Sequence, residues 1–412
     1  MTATVDTPSA QQATAATRIG FTTDRAALVD ALTTVGLAVA KAPVVPMLGG
    51  ALLRARGGDL TISATDYDTT ATVRVPGTVQ PPGSLLLDHG ELTKLLGALV
   101  KGTRKRDADA LPVALRTLAD GTPVVDLAGY AMPVTAYQTD DYPETPVSLP
   151  TLAQVDRETL VRDLERVLVA VGKDSGMPMF TGVHLDITPG AVTMAGTDRY
   201  RLAVAPMPAV TTAGGAESVS VLVPGHLVAS VVKRFTGDRV RIGLDDVTEP
   251  SVVSLTCGDI TVSVRTIDAA YPPYRQLIPA AAAATVQTDR AALLAATRRA
   301  AAVLDAKRQD VKHVAVTFTS ESVSVTPVLE HHADAAIAPE QAATVDGITA
   351  TERVWFVAAY LADALDSFTG DTVTLHTQGN VNRPVLLTDT VDGLTDSAAF
   401  RHLLMPIRAP KA

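Results

Sequence analysis

The side chains that could do chemistry are few and scattered. Glu330-His331-His332-Ala333-Asp334 brings imidazoles and carboxylates together, the residue types that bind zinc. Adjacent histidines do not face each other on a helix, and no matching Cys or His set follows. The segment therefore reads as a solvated loop, and no metal site is assigned. Thr65-Asp66-Tyr67-Asp68 and Thr197-Asp198 offer carboxylates for general acid–base work. They recur at equivalent places after strand-like runs, which is the pattern of a turn cap. Cys257 is the only cysteine and lies in an apolar run. It reads as a buried, inert thiol, excludes an intramolecular disulfide and fits a reducing, cytoplasmic setting. There is no Gly-rich phosphate loop, no Gly-x-Ser-x-Gly and no zinc signature. No catalytic residue and no cofactor is assigned.

Positive charge is the other candidate for function. The net charge of -9 argues against a generic nucleic-acid binder, but the distribution is uneven. Arg162 and Arg166 are four apart and Lys94 and Lys101 seven apart, each pair on one helix face. Lys233-Arg234 closes a helix-like stretch, and Arg298 and Arg299 belong to a long one. Acidic residues crowd the turns instead, as in Asp140-Asp141 and Asp245-Asp246. Sequence-blind attraction to phosphates needs such basic faces, although a solvated helix face is charged for ordinary reasons too.

The elements that carry these residues repeat. Thr23-Asp24-Arg25-Ala26-Ala27-Leu28 recurs as Thr288-Asp289-Arg290-Ala291-Ala292-Leu293, with Val155-Asp156-Arg157-Glu158-Thr159-Leu160 between them; the aspartates lie 132 and 133 residues apart. Each hexamer opens a helix, with Thr or Asp able to cap it. Leu28, Leu32, Val35 and Val39 match Leu160, Leu164, Val167 and Val171, an i, i+4, i+7, i+11 stripe. The third copy is looser, with Leu293, Thr297, Ala300 and Leu304. Phe235-Thr236-Gly237-Asp238 returns 133 residues on as Phe368-Thr369-Gly370-Asp371. Each closes a second helix-like stretch, Pro224 to Phe235 and Val357 to Phe368, matched in the first copy by His89 to Lys101. Trp355 and Tyr360 are placed at the start of the last of these. Between helices, runs such as Val192 to Ala195 and Ile260 to Val264 alternate apolar and polar residues, the period of antiparallel strands. The expectation is an α+β chain of three similar domains, 18–149, 150–280 and 281–412, each with two helices and many strands, behind a disordered tail at 1–17. No apolar run is long enough to cross a bilayer, so no membrane partner is expected.

Three stretches then carry a family resemblance. They are Gly196-Thr197-Asp198-Arg199-Tyr200-Arg201-Leu202-Ala203-Val204, Tyr271-Pro272-Pro273-Tyr274-Arg275-Gln276-Leu277-Ile278-Pro279 and Leu403-Leu404-Met405-Pro406-Ile407-Arg408. In this order they resemble the β sliding clamp, the β subunit of bacterial DNA polymerase III, over roughly Arg18 to Arg408; the Arg-Tyr-Arg form looks actinobacterial. The resemblance implies a head-to-tail homodimeric ring of six domains around duplex DNA, with helices lining the hole and antiparallel sheets outside. It implies no enzyme activity, but a processivity factor that tethers the replicative polymerase and is opened by a separate clamp loader. It places a pocket for partner peptides at the second and third domains, carried over to Phe180, Thr197, Tyr200, Arg201, Leu202, Pro272, Gln276, Leu277, Val311, Val357, Tyr360, Val381, Arg383, Met405, Pro406, Ile407 and Arg408. DNA-facing candidates are Lys41, Lys94, Lys101, Arg162, Arg166, Lys173, Lys233, Arg234, Arg298 and Arg299. Val303 and Leu304 are candidate subunit contacts. Lys41-Ala42-Pro43 stands where many members of the family carry an arginine. Two alternatives stay open: a specialised or compound-resistant paralogue of the clamp, and a repeat scaffold that never encircles DNA.

Overall fold

The computed structural model describes residues 19–143, 149–174, 176–211, 218–329 and 336–409. Glu330 to Asp334 and the tail at 1–17 lie outside the described residues. The chain divides into two compact units, Met1–Val147 with Asp259–Ser263, and Ser148–Gly258 with Val264–Ala412.

The repeated hexamers are strand-to-helix junctions. Strands Gly20–Asp24, Thr151–Asp156 and Ala284–Asp289 each end on the repeated aspartate and feed α1 (Arg25–Val35), α4 (Arg157–Leu168) and α7 (Arg290–Ala306). The Asp156 carboxylate accepts from Thr159 N at 2.9 Å and Asp289 from Ala292 N at 2.6 Å, satisfying free N–H groups of the first turn. Asp24 makes no such bond. The Phe-Thr-Gly-Asp repeat has its reason in the same place. Asp238 O accepts from Arg157 N at 2.9 Å and Asp371 O from Arg290 N at 2.8 Å, while Phe235 and Phe368 are buried. The repeat therefore secures the start of one helix from the end of another.

The second helices are shorter than their apolar patterns: α2 (His89–Ala98), α6 (Gly225–Val232) and α8 (Ala358–Asp366). Two single-turn helices were not expected, α3 (Lys105–Asp109) and α5 (Pro178–Thr181). Trp355 lies in strand Glu352–Val357, before α8, not at the start of a helix. Leu28, Leu32, Val35, Leu160, Leu164, Val167, Val171, Leu293, Thr297, Ala300 and Leu304 are all buried, so the stripes face the cores; Val39, given to the first stripe, lies past α1 and is only half-buried.

In the first unit, one antiparallel sheet joins Gly20–Asp24 to Thr78–Val79 and Pro112–Thr117, and continues to Pro123–Leu127 and Tyr130–Pro133. A second pairs Gly50–Arg56 with Asp59–Thr65 and Gly83–Asp88, extended by Thr69–Val75 and Ala136–Tyr137.

The second unit holds the two later copies, and one sheet runs through both. Its order is Val219–Pro224, Gly182–Thr188, Ala191–Thr197, Arg201–Thr211, Arg401–Leu404, Val385–Thr388, Thr372–Thr377, Ala284–Asp289 and Gln341–Asp346. Arg201 opposes Leu404 and Val204 opposes Arg401 at the seam between copies. Positions 280 and 281 lie in the loop before strand Ala284–Asp289, while the sheet itself is shared by the two later copies.

Two histidines are sealed into this sheet. His376 and His402 are both fully buried; burial pushes His376 to about 4, and burial with the nearby Arg201 and Arg166 charges pushes His402 to about 3. Each is neutral when folded and binds a proton below about 6.5 when unfolded. Burial pushes His184 and His313 in the same direction. This stability is complete above about pH 6.5 and is lost as pH falls from there toward 4 and 3. The unfolding free energy measured in urea should fall across that window, by up to about 1.4 kcal/mol per pH unit for each added proton. The His376→Gln/His402→Gln double variant should flatten the slope; an unchanged slope would contradict the assignment.

Candidate functional site

At residues 196–202 the copy-two sheet makes a turn that the sequence repeats elsewhere. Thr197 Oγ1 accepts from Arg199 N at 3.2 Å, and Asp198 Oδ1 accepts from Tyr200 N and Arg201 N, both at 3.0 Å. In the first unit, Thr65 Oγ1 accepts from Tyr67 N at 3.2 Å, and Asp66 Oδ1 accepts from Asp68 N and Thr69 N at 3.1 and 2.7 Å. These aspartates are turn caps, as the repeat implied. Both turns force a side-chain residue into the left-handed region, Tyr67 at φ 76° and Arg199 at φ 82°. Gly196 lets α4 approach: a Cβ there would sit 2.7 Å from Val171 Cγ2 and 2.9 Å from Val167 O.

This turn presents Tyr200 and Arg201 to a cavity of 320 Å³, lined among others by Lys173, Asp174, Met177, Phe180, Arg199 and Tyr360. Arg201 is its electrostatic centre. Its guanidinium donates to Asp198 Oδ2 at 3.0 Å and to Asp363 Oδ2 of α8 at 2.7 Å, and lies 4.4 Å from the Tyr360 ring centroid. Tyr200 stacks on Tyr360 at 6.1 Å. The Thr197 hydroxyl donates to Arg201 O at 2.6 Å.

The C-terminal strand brings the rest. Met405 N donates to Tyr200 O and Ile407 N to Trp355 O, both at 2.8 Å. The tail is thus fixed both to the turn and to strand Glu352–Val357. Val357 pairs with His313, two residues from Val311. Met405, Leu277 and Val311 keep 40–49% of their surface exposed, and Tyr200 51%. Such exposed apolar side chains near a few fixed polar groups suit recognition of an extended peptide. Segment 271–277 is held separately. Tyr274 Oη donates to Asp186 Oδ2 at 2.6 Å and Arg275 to the same atom at 2.9 Å, while Tyr271 stacks on His184 at 4.5 Å.

The cavity gathers Phe180, Tyr200, Arg201 and Tyr360 from the sequence-derived set. Thr197 and Leu202 are buried, and Leu202 packs with Tyr274, Leu386 and Leu403 beneath the surface. Pro272, Gln276, Leu277, Val311, Val357, Val381, Arg383, Met405, Pro406, Ile407 and Arg408 lie outside the lining. Val171, Gly172, Asp174, Met177, Asp198 and Arg199 line it without having been singled out for it. Val171 ends the second apolar stripe, but no sequence period marks Gly172 to Asp174 or Met177; only their distance from α4 could have hinted at them.

The basic set divides. Lys41, Lys94, Lys101, Lys173 and Arg299 are exposed and Arg234 is half-buried. Lys233 pairs with Glu165 at 3.1 Å and Arg298 with Asp366 at 3.2 Å, both on the surface. Lys173 is at the cavity. Arg162 and Arg166 share a face because both serve buried Asp163, at 2.9 and 3.4 Å. Arg166 is a correction. Its side chain is only 10% exposed, its guanidinium lies 3.6 Å from the Phe400 ring centroid, and it donates to Ser367 O at 2.8 Å and Asp389 at 3.4 Å. It joins copy two to copy three and does not face DNA. Arg166→Ala should lower stability by about 1–3 kcal/mol, because Ser367 O loses its donor and the Phe400 ring its cation, while Asp163 keeps Arg162. Its DNA salt dependence should stay normal, whereas Lys94→Ala should reduce the salt slope by about 1. Normal urea stability with lost DNA retention would contradict this. Leu304 is also corrected: it is fully buried in its own fold and cannot be a subunit contact, whereas neighbouring Val303 is 41% exposed. Cys257 is buried, and that burial pushes its thiol up, away from nucleophilic character.

Comparison with known proteins adds identity to this geometry. Residues 154–273 match the central domain of the DNA polymerase III beta subunit, and residues 19–102 match its N-terminal domain. The chain belongs to the bacterial β sliding clamp family. Among clamp relatives, it is 27% identical over 395 residues to the beta sliding clamp homolog GriR of Streptomyces muensis, covering 94% of this chain and 99% of that one. It is 28% identical over 288 residues to the beta sliding clamp of Micrococcus luteus, covering 69% and 88%. The sliding clamp structure from Bacillus subtilis superposes with a TM-score of 0.80 at 20% identity, over 95% of this chain and all of that one. A Pseudomonas aeruginosa clamp solved bound to griselimycin gives 0.78 at 19% over 95% and 100%. At these identities the two structures establish the clamp fold. Among the described residues, no helix is long and apolar enough to cross a membrane.

Proposed function

We propose that the chain is a DNA sliding clamp, a processivity factor that encircles duplex DNA and tethers a replicative polymerase and other DNA-processing proteins by short peptides. The observation that carries this is one strand–Asp–helix unit used three times, its first two copies matching the two beta-subunit domains. Two chains supply six copies, enough to close a ring with pseudo-sixfold symmetry. Val303 on α7 is the proposed subunit contact. Exposed cations at Lys41, Lys94, Lys101 and Arg299 attract phosphates without reading bases. Retention is topological, so the protein needs no catalytic group of its own; a separate loader does the opening. The peptide site is the cavity at Tyr200, Arg201 and Tyr360 with the exposed apolar rim of Leu277, Val311 and Met405. Solution mass tests the assembly. A dimer near twice 42.9 kDa is expected at micromolar concentration; a strictly monomeric chain would exclude a two-chain ring. A second reading, a specialised copy of the clamp, draws on the near full-length likeness to GriR. A genome encoding no other clamp would exclude it.

A further inference from the structure

A larger cavity, of 520 Å³, opens elsewhere in the second unit, beside the end strand of its long sheet. Strand Val219–Pro224 pairs with Gly182–Thr188 on one side, from Ile187 opposite Val219 to Gly182 opposite Pro224. On its other side, Ile267 N donates to Leu222 O at 2.8 Å. The same bond recurs 133 residues on, where Ile407 N donates to Trp355 O, so it belongs to the repeated fold. In an antiparallel ladder the N–H and C=O of one residue point to the same side, and that side alternates along the strand. Ser220 therefore turns both groups outward with Leu222, and it is exposed. Among the described residues no strand covers it, and an open edge is a template for a further strand. The cavity continues this edge. Val221, Leu222 and Ile267 give it apolar surface, and the His184 ring, stacked on Tyr271 at 4.5 Å, forms a wall that burial keeps uncharged. Its charge is uneven. Glu249 and Asp268 are exposed, and among the described residues neither has a cation within ion-pair distance. Arg265, the one arginine of the lining, is already engaged within the protein. Asp186, across from Ser220, is spent: it accepts from Ser220 Oγ, from Tyr274 Oη at 2.6 Å and from Arg275 at 2.9 Å.

We propose that this edge and its cavity form a second protein-docking site, which takes an extended segment bearing a lysine or arginine as an added strand. The segment pairs with the outward N–H and C=O of Ser220. Its alternate side chains enter the cavity, and its cation meets Glu249 and Asp268. Edge addition draws affinity from main-chain hydrogen bonds and specificity from the pockets for alternate side chains. The occupant is basic because the two uncompensated charges of the lining are both carboxylates. Both are exposed, so their contribution is modest and falls with salt, and they turn acidic segments away. The lining shares no residue with the cavity at Tyr200, Arg201 and Tyr360.

The test uses the full-length protein and fluorescence anisotropy. The probe is a labelled peptide, Thr-Val-Thr-Lys-Thr-Val-Thr. Its companions carry Glu in place of Lys, or keep Lys and are methylated on the backbone nitrogens at odd or at even positions. At low salt the Lys peptide should bind about 5–10-fold more tightly than the Glu peptide, and high salt should erase the difference. One methylated peptide should lose about 10-fold and the other little, because an added strand bonds through alternate residues. Glu249→Lys/Asp268→Lys, at two exposed positions, should reverse the charge preference. Ser220→Pro removes the outward N–H at an edge, where proline is tolerated, and should weaken the Lys peptide about 10-fold. The methylated pair puts the same question to the unaltered protein, so it decides even where Ser220→Pro does not fold. Excess unlabelled polymerase-derived peptide should leave the probe bound. Failure of every peptide to bind at millimolar concentration would overturn the proposal. So would binding that methylation at either set of positions, Ser220→Pro and the charge reversal all leave unchanged. Displacement of the probe by the polymerase-derived peptide would assign it to the Tyr200 cavity and remove the second site.

Discussion

A chain ended at Leu404 should remain dimeric and bind a Gln-plus-apolar peptide about 5- to 30-fold more weakly than the full chain. The expectation follows from what residues 405–408 touch. Met405 N and Ile407 N are fixed at 2.8 Å to Tyr200 O and Trp355 O, so the tail is a bound edge of the site and not a free end. Met405 is 40% exposed and is fixed to Tyr200 of the cavity lining, and Ile407 is partly exposed. Fully covering an apolar side chain of this size is worth about 1.5–3 kcal/mol, so covering the exposed part of these two is worth about 1–2 kcal/mol. That is about 5- to 30-fold in affinity at about 1.4 kcal/mol per tenfold. The full site should bind such peptides near the micromolar range, because a segment that orders on binding loses entropy. The fold should tolerate the cut. Leu404 keeps its pairing with Arg201 and Val385, and the sheet does not need Met405. Anisotropy with a polymerase-derived peptide, run beside a solution mass measurement, decides it. Undiminished binding by a truncated dimer would move the site elsewhere; loss of the dimer would mean that the tail also serves the subunit contact.

How much of this was written in the sequence depends on the range of the interactions. The Asp156 and Asp289 caps act over three residues, and the apolar stripes over one helix face, so repeats and periodicity reveal them directly. The Phe-Thr-Gly-Asp repeat was visible as a string, but its role, an Asp238 or Asp371 carbonyl holding the first N–H of a distant helix, is a contact that no period encodes. Arg166 shows the limit most clearly. On the helix it is spaced like a solvent-facing cation, yet its partners Ser367, Asp389 and Phe400 lie more than 200 residues away. A helical wheel separates apolar from polar faces and cannot separate water from a neighbouring copy. Leu304 errs in the same way: its place beside exposed Val303 suggested a contact surface, while its own stripe with Leu293, Thr297 and Ala300 seals it into the core. The pocket turn was legible through its motif. Past Val171, the end of the second stripe, the lining residues Gly172 to Asp174 and Met177 carry neither motif nor period, and only the fold brings Lys173 to Arg199.

The central claim is that DNA is held by topology and not by the strength of charge contacts. Ordinary electrostatic binding through 6–10 phosphate contacts loses about 10³–10⁵ in affinity between 50 and 200 mM salt, on circles and linear DNA alike. A closed ring behaves otherwise, since weakening every contact leaves the duplex threaded. The exposed cations Lys41, Lys94, Lys101 and Arg299 are then needed for attraction and alignment, and not for retention. The direct measurement loads the labelled dimer onto nicked circular DNA with a clamp loader and passes it through a sizing column in high salt. Half of the sample is first cut once with a restriction enzyme. The account predicts that the uncut circles keep the protein and the linearised DNA loses it. Equal loss from both would contradict it.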